Sequence, residues 1–166
     1  MKKYILIFTT CALGVLNFTS CDKKDNPSPE SNVANPELIL DSSNHAIVSD
    51  TICGHLENNV LKLSNGDTLK MFITIKGEYA LSQYKIAAHE NFDCHAHGEM
   101  KKMDDDLNAW SLNIIENIPG DVTTFSLKAV HVIPDSATKG QYHYSINAVD
   151  KDGREAEELE FNVVVE

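Results

Sequence analysis

A side-chain alternation with no helical period is the feature that most constrains how this chain can fold. From Gln141 to Val149, Tyr142, Tyr144, Ile146 and Ala148 take one side, and Gln141, His143, Ser145 and Asn147 the other. Successive side chains of a strand point to opposite faces, so a period of two predicts a strand with an apolar inner face and a polar outer one. Gln83 to His89 repeats the pattern, with Tyr84, Ile86 and Ala88 set against Lys85, Ala87 and His89. Thr123 to Ile133 gathers Phe125, Leu127, Ala129, His131 and Ile133 on one face. Glu37 to Leu40, Ile47 to Leu56, Thr68 to Lys76, Ala109 to Ile115 and Leu159 to Val165 read as further strands, rich in β-branched and aromatic residues. Asn65-Gly66-Asp67, Ile118-Pro119-Gly120-Asp121 and Asp150-Lys151-Asp152-Gly153 are turn signals between them. About seven strands at regular spacing predict an all-β fold, an immunoglobulin-like antiparallel β-sandwich. Its expected core contains Tyr84, Ile86, Trp110, Leu112, Phe125, Leu127, Tyr144, Ile146 and Phe161.

The N-terminal residues follow another logic. Lys2 and Lys3 precede a mostly apolar run from Tyr4 to Phe18, and Thr19-Ser20 then places small residues before Cys21. This is the pattern of a bacterial lipoprotein signal over residues 1–20, with Cys21 as the lipidated (palmitate-type) first residue of the mature protein. An ordinary secretory signal cut nearby is the competing reading. Residues 21–35 are polar and Pro-containing and read as a flexible tether. Residues 36–166 are long enough for one domain with its own core. The expected location is the outer membrane or cell surface, with the membrane as a partner through Cys21. Loss of Lys2 and Lys3 with the signal takes the formal net charge from −11 to −13. So acidic a surface repels nucleic-acid phosphates and attracts cations.

Of the four cysteines, Cys11 leaves with the signal and Cys21 is used by the anchor, which leaves Cys53 and Cys94. In an oxidising compartment such a pair commonly forms a disulfide. Two other states stay open: a free buried thiol, and Cys94 as a thiolate metal ligand between Asp93 and His95.

Chemistry concentrates in His89-Glu90-Asn91-Phe92-Asp93-Cys94-His95-Ala96-His97, which holds three imidazoles, two carboxylates and a thiol within nine residues. Zinc and copper select neutral imidazole, and a carboxylate can complete the shell. The spacing matches no zinc finger and no His-Glu-x-x-His helix. The candidate metal ligands are His89, Asp93, His95 and His97, with His143 from a second strand. His55 and Glu57, which point one way from their strand, are weaker candidates. His131 shares a face with core residues and reads as a partly buried histidine, and His45 as a loop residue.

Tyr84-Lys85-Ile86-x-x-His89-x-Asn91-Phe92-Asp93-x-His95-x-His97, followed by Ile133-Pro134, Gly140-x-Tyr142-His143 and Asp150-Lys151-x-Gly153, resembles domain-of-unknown-function family 4625, mainly from Bacteroidetes. The resemblance covers most of residues 36–166. It implies a lipid-anchored, immunoglobulin-like domain and a joint site of His89, Asp93, His95, His97 and His143.

No nucleophile elbow, phosphate loop or dinucleotide fingerprint is present, and no general base stands out for a metal hydrolase, so the chain is not expected to be an enzyme. The expected function is an extracytoplasmic binding protein for zinc or copper, which could pass the ion to a surface protein or transporter. The alternative is an adhesion or glycan-binding module with no metal function. Against a glycan platform, the single tryptophan, Trp110, falls in an expected core strand.

Overall fold

The computed structural model describes residues 33–94 and 107–166. Among these residues there are nine strands: β1 (Glu37–Ser43), β2 (Ile47–Ile52), β3 (His55–Leu63), β4 (Thr68–Lys76), β5 (Leu81–Glu90), β6 (Leu112–Asn117), β7 (Thr124–Val132), β8 (Gly140–Asp150) and β9 (Leu159–Val165). They form a three-stranded sheet, β1-β4-β7, and a six-stranded sheet, β2-β3-β9-β8-β5-β6. The architecture is the expected all-β sandwich, with two departures in detail. Every neighbouring pair is antiparallel except β3 and β9, which run parallel with Val60 opposite Asn162. The strand count is nine because Ile47 to Leu56 is not one strand: Cys53-Gly54 breaks it into β2 and the start of β3. Both residues have positive φ (52° and 84°), the backbone that a two-residue loop of the I′ type demands in a twisted hairpin.

The alternation does place the core. Leu69, Met71, Ile73 and Ile75 of β4 face Tyr142, Tyr144, Ile146 and Ala148 of β8, all fully buried. Seven of the nine expected core residues are buried, and Leu112 and Phe125 are partly buried against the cluster. Those two lie on β6 and β7, which are sheet edges, where one neighbour is missing. Trp110 precedes β6 and stacks on Tyr144, with ring centres 6.1 Å apart and planes 11° from parallel.

Tyr142 fixes the entry to β8. Its hydroxyl donates to the Thr138 carbonyl and accepts from the Trp110 amide at 3.5 Å. A tyrosine near the start of a strand bonded to backbone a few residues upstream is the corner found in immunoglobulin-type sandwiches.

The outer face of β8 differs from expectation. His143 and Ser145 are on the polar side of the alternation, yet they are only 6 % and 5 % exposed.

Candidate functional site

The register of β3 shows what covers them. Since Val60 pairs with Asn162, running β3 straight back by seven residues to Cys53 would carry it about 23 Å toward the Leu159 end of β9. Cys53 is instead at the opposite end. Its Sγ lies 3.0 Å from Oε1 of Gln141, a residue paired with Val164. The β2–β3 hairpin therefore leaves the sheet edge and folds back across the outer face of β9 and β8. A β-bulge supplies the bend: Val48 pairs with Val60 and Asp50 with Glu57, so Asn58 and Asn59 together oppose Ser49. Asn59 then secures the bend by donating through Nδ2 to the Glu160 carbonyl at 2.8 Å.

A disulfide between Cys53 and Cys94, with Cα atoms 5.5 Å apart, ties the tip of this arm to the segment after β5. Of the three states open for these cysteines, the bonded one is present. Cys94 is accordingly not a thiolate ligand. Both cysteines adopt left-handed backbone (φ 52° and 55°), sparsely populated by residues with a side chain, and the crosslink helps to hold them there.

The His-rich motif has a structural part. The Asn91 amide donates to the Gln141 carbonyl at 2.7 Å, extending the β5–β8 ladder, and the Cys94 amide closes a turn onto the Asn91 carbonyl at 3.3 Å. The Phe92 ring packs edge-on against Tyr142, with centres 5.1 Å apart. It also occupies the space above Gly140, where an added Cβ would lie 2.6 Å from a Phe92 carbon. With φ at 146°, Gly140 is required twice over.

Between arm and sheet runs a groove of about 450 Å³. His55 and Glu57 line it from the arm, and His143, Glu160, Asn162 and Asn91 from the sheet side. Nδ1 of His143 is 3.7 Å from Oε1 of Glu160. His89 and His143 are direct cross-strand partners, and their rings meet at 5.3 Å with a 57° tilt. Asp93 is exposed in the turn after β5.

The structure thus joins His89 to His143 and puts Asp93 in the adjacent turn, while Cys21, His95 and His97 lie outside the described residues. Among the described residues, no three His, Cys, Asp or Glu side chains converge as a metal shell. His131 is partly buried 5.9 Å from the Tyr144 ring, and burial pushes its pKa down, as suits a core-facing histidine. His45 has its Nε2 3.3 Å from the Thr68 carbonyl, away from the groove. Sequence reasoning missed Glu160 and Asn162, although the alternation of β9 sets both opposite the buried Phe161 and Val163. Asn91 is part of the His-rich motif, but nothing in the sequence marked it as a buried residue of the groove.

No curated protein matches the chain. Among solved structures, the crystal structure of a Niemann-Pick type C2 protein from Japanese carpenter ant is similar at 4 % identity and a TM-score of 0.42, covering 82 % of this chain and 96 % of that one. That likeness is too distant to bear on function. Residues 19–165 match the family described as a domain of unknown function, DUF4625. The match takes in the whole of the sandwich and the His-rich motif, and the chain belongs to this family.

Proposed function

We propose that this protein is a lipid-anchored, extracytoplasmic, non-enzymatic binding protein for a divalent transition metal, zinc or copper. The observation that carries the reading is the His89–His143 pair, 5.3 Å between ring centres. Two imidazoles sharing a tetrahedral ion at roughly 2.0–2.1 Å from each nitrogen have ring centres about 5 Å apart. The pair stands on two central strands, whose ladder fixes its spacing. Asp93 follows four residues after His89, and His95 and His97 come next in sequence, so the remaining ligands are supplied locally. Surface acidity adds a general attraction for cations. Imidazole coordinates only when neutral, so metal affinity falls in acid.

Calorimetry with zinc and copper on the purified protein tests the reading. One ion per chain is expected, with binding lost in a His89→Ala, His143→Ala variant that keeps its β-sheet spectrum. No binding to the unmodified protein at neutral pH would remove the metal function and leave the partner-binding alternative. The anchor is tested separately: mass spectrometry should find Cys21 acylated, and an unmodified Cys21 would overturn that part.

A further inference from the structure

The outer face of the three-stranded sheet reverses the charge balance of the chain. On β4 and β7 every second residue, from Thr68 to Lys76 and from Thr124 to Val132, turns away from the buried Leu69, Met71, Ile73 and Ile75. These outward positions, five on each strand, hold Lys70, Lys76, Lys128, Phe72, Val130 and Val132, with hydroxyls at the other four. None is a carboxylate, on a chain of formal net charge −11. Phe72, Val130 and Val132 are 44 %, 43 % and 58 % exposed, and Lys128 Nζ lies 5.8 Å over the Phe72 ring. Among the described residues none of these three lysines is in an ion pair, whereas Lys62, Lys151 and Arg154 each pair with a carboxylate. The carboxylates of this sheet, Glu37 and Asp41, are on β1, the edge away from β7, and Asp41 accepts from Thr74 Oγ1 at 2.7 Å.

We propose that this face docks on an anionic phospholipid surface. Lys70, Lys76 and Lys128 meet the headgroups, and Phe72, Val130 and Val132 enter the interface, where apolar side chains leave water. The acidity of the whole chain does not prevent this. Fields are screened within about 8 Å at physiological salt, and stacked sheets are about 10 Å apart, so acids on the far sheet act weakly. Face-to-face packing with a second copy would set lysines against lysines. A phosphate polymer offers no hydrocarbon for Phe72 and the valines. The strand that begins at Glu37 also belongs to this sheet and is the first after Cys21, sixteen positions on. A flexible chain of that length spans about 20 Å root-mean-square, so an acyl group on Cys21 keeps the face close to lipid. That proximity rests on the anchor reading above, whereas the charge pattern does not.

The test uses residues 21–166 carrying Cys21→Ser, so that no acyl group contributes. The protein is sedimented with vesicles of phosphatidylglycerol and phosphatidylcholine in equal parts. Binding is expected, weakened by salt and absent on phosphatidylcholine alone. Lys70→Gln with Lys128→Gln should weaken partitioning about twentyfold, at roughly fivefold for each lysine near an anionic surface. Phe72→Ser should weaken it while leaving the salt dependence unchanged. Lys62→Gln with Lys85→Gln, which removes equal charge from the other sheet, should have no effect. The proposal is overturned by absent binding, by equal binding to neutral vesicles, by an unchanged Lys70, Lys128 variant, or by an equal loss in the Lys62, Lys85 variant. Self-association without lipid that Phe72→Ser abolishes would assign the face to a second copy instead, and equal binding of soluble polyglutamate to an acidic polypeptide. Should the double lysine variant lose its β-sheet spectrum, Lys128→Gln alone is read in the same way. Because the probe protein cannot be acylated, an unmodified Cys21 in the natural protein would remove the anchor and leave this result standing.

Discussion

The two ends of β8 bury polar groups by opposite means. At its C-terminal end Asp150 is 2 % exposed, and its carboxylate is fully engaged. One oxygen accepts from the amides of Asp152 (2.9 Å) and Arg154 (3.0 Å), and the other from Arg154 Nε at 2.8 Å. The Arg154 guanidinium in turn lies 3.9 Å over the Tyr79 ring. At the N-terminal end, Asn91 and His143 are nearly as buried, but the Asn91 side-chain oxygen has no hydrogen-bond partner among the described residues and the region is closed by a disulfide. One end is a self-sufficient turn whose polar atoms serve the fold. The other carries unmet polar capacity that a crosslink holds in place. Burial of a polar side chain therefore says little about its role until its partners are counted.

The largest test of this contrast removes the crosslink. A disulfide closing a loop with a sequence separation of 41 contributes about 4 kcal/mol on the chain-entropy account. Cys53→Ser with Cys94→Ser should lower stability to urea by that order. Amide exchange should speed up at Ile52–Glu57 and Asn91 while the Asp150 turn is unchanged. Equal loosening at both ends would erase the distinction.

Next in size, Asp150→Asn should cost about 2 kcal/mol near neutral pH, the scale of hydrogen bonds to a charged group. Burial alone would raise the Asp150 pKa. The hydrogen bonds from the Arg154 amide and side chain and from the Asp152 amide outweigh it, and hold the carboxyl below its ordinary value. A depressed folded-state pKa gives stability that is present above the unfolded value near ~3.9 and lost as pH falls through the folded one. The penalty of the variant should therefore shrink in acid. Denaturant midpoints measured at neutral and acidic pH check this, and a penalty constant with pH would contradict it.

The smallest effect is expected at Asn91. Among the described residues its side chain has only a weak Nδ2 contact at 3.9 Å to Cys53 Sγ, while its backbone bonds survive substitution. Asn91→Ala should change stability by less than about 1 kcal/mol. A loss matching that of Asp150→Asn would make Asn91 a structural residue like its counterpart.

The inner face of the fold was legible because alternation in β5, β7 and β8 reports burial directly. The arm was not. Cys53-Gly54 is not a usual turn pair, and here the left-handed cysteine stands where asparagine is common, so β2 and β3 read as one strand. The bend at Asn58-Asn59 depends on a register that only pairing reveals. His143 read as outward-facing, correctly, and as surface-exposed, wrongly, because its cover comes from about ninety positions earlier in the chain. The parallel contact of β3 with β9 leaves no local trace for the same reason. Of the candidate ligands, His89 and His143 were legible individually, but their meeting depended on the β5–β8 register.

The parallel pairing also sets an order of assembly. Val60 and Asn162 differ by 102 in number, so β3 has no partner on its β9 side until the ninth strand arrives. Contacts between residues so far apart in sequence form slowly. Until then the hairpin has no sheet face to fold across, and Cys53 has no fixed approach to Cys94. Oxidation should thus come late in folding, as a lock on a sandwich already built. A catalyst that joined the two sulfurs early would tether the hairpin before its platform existed.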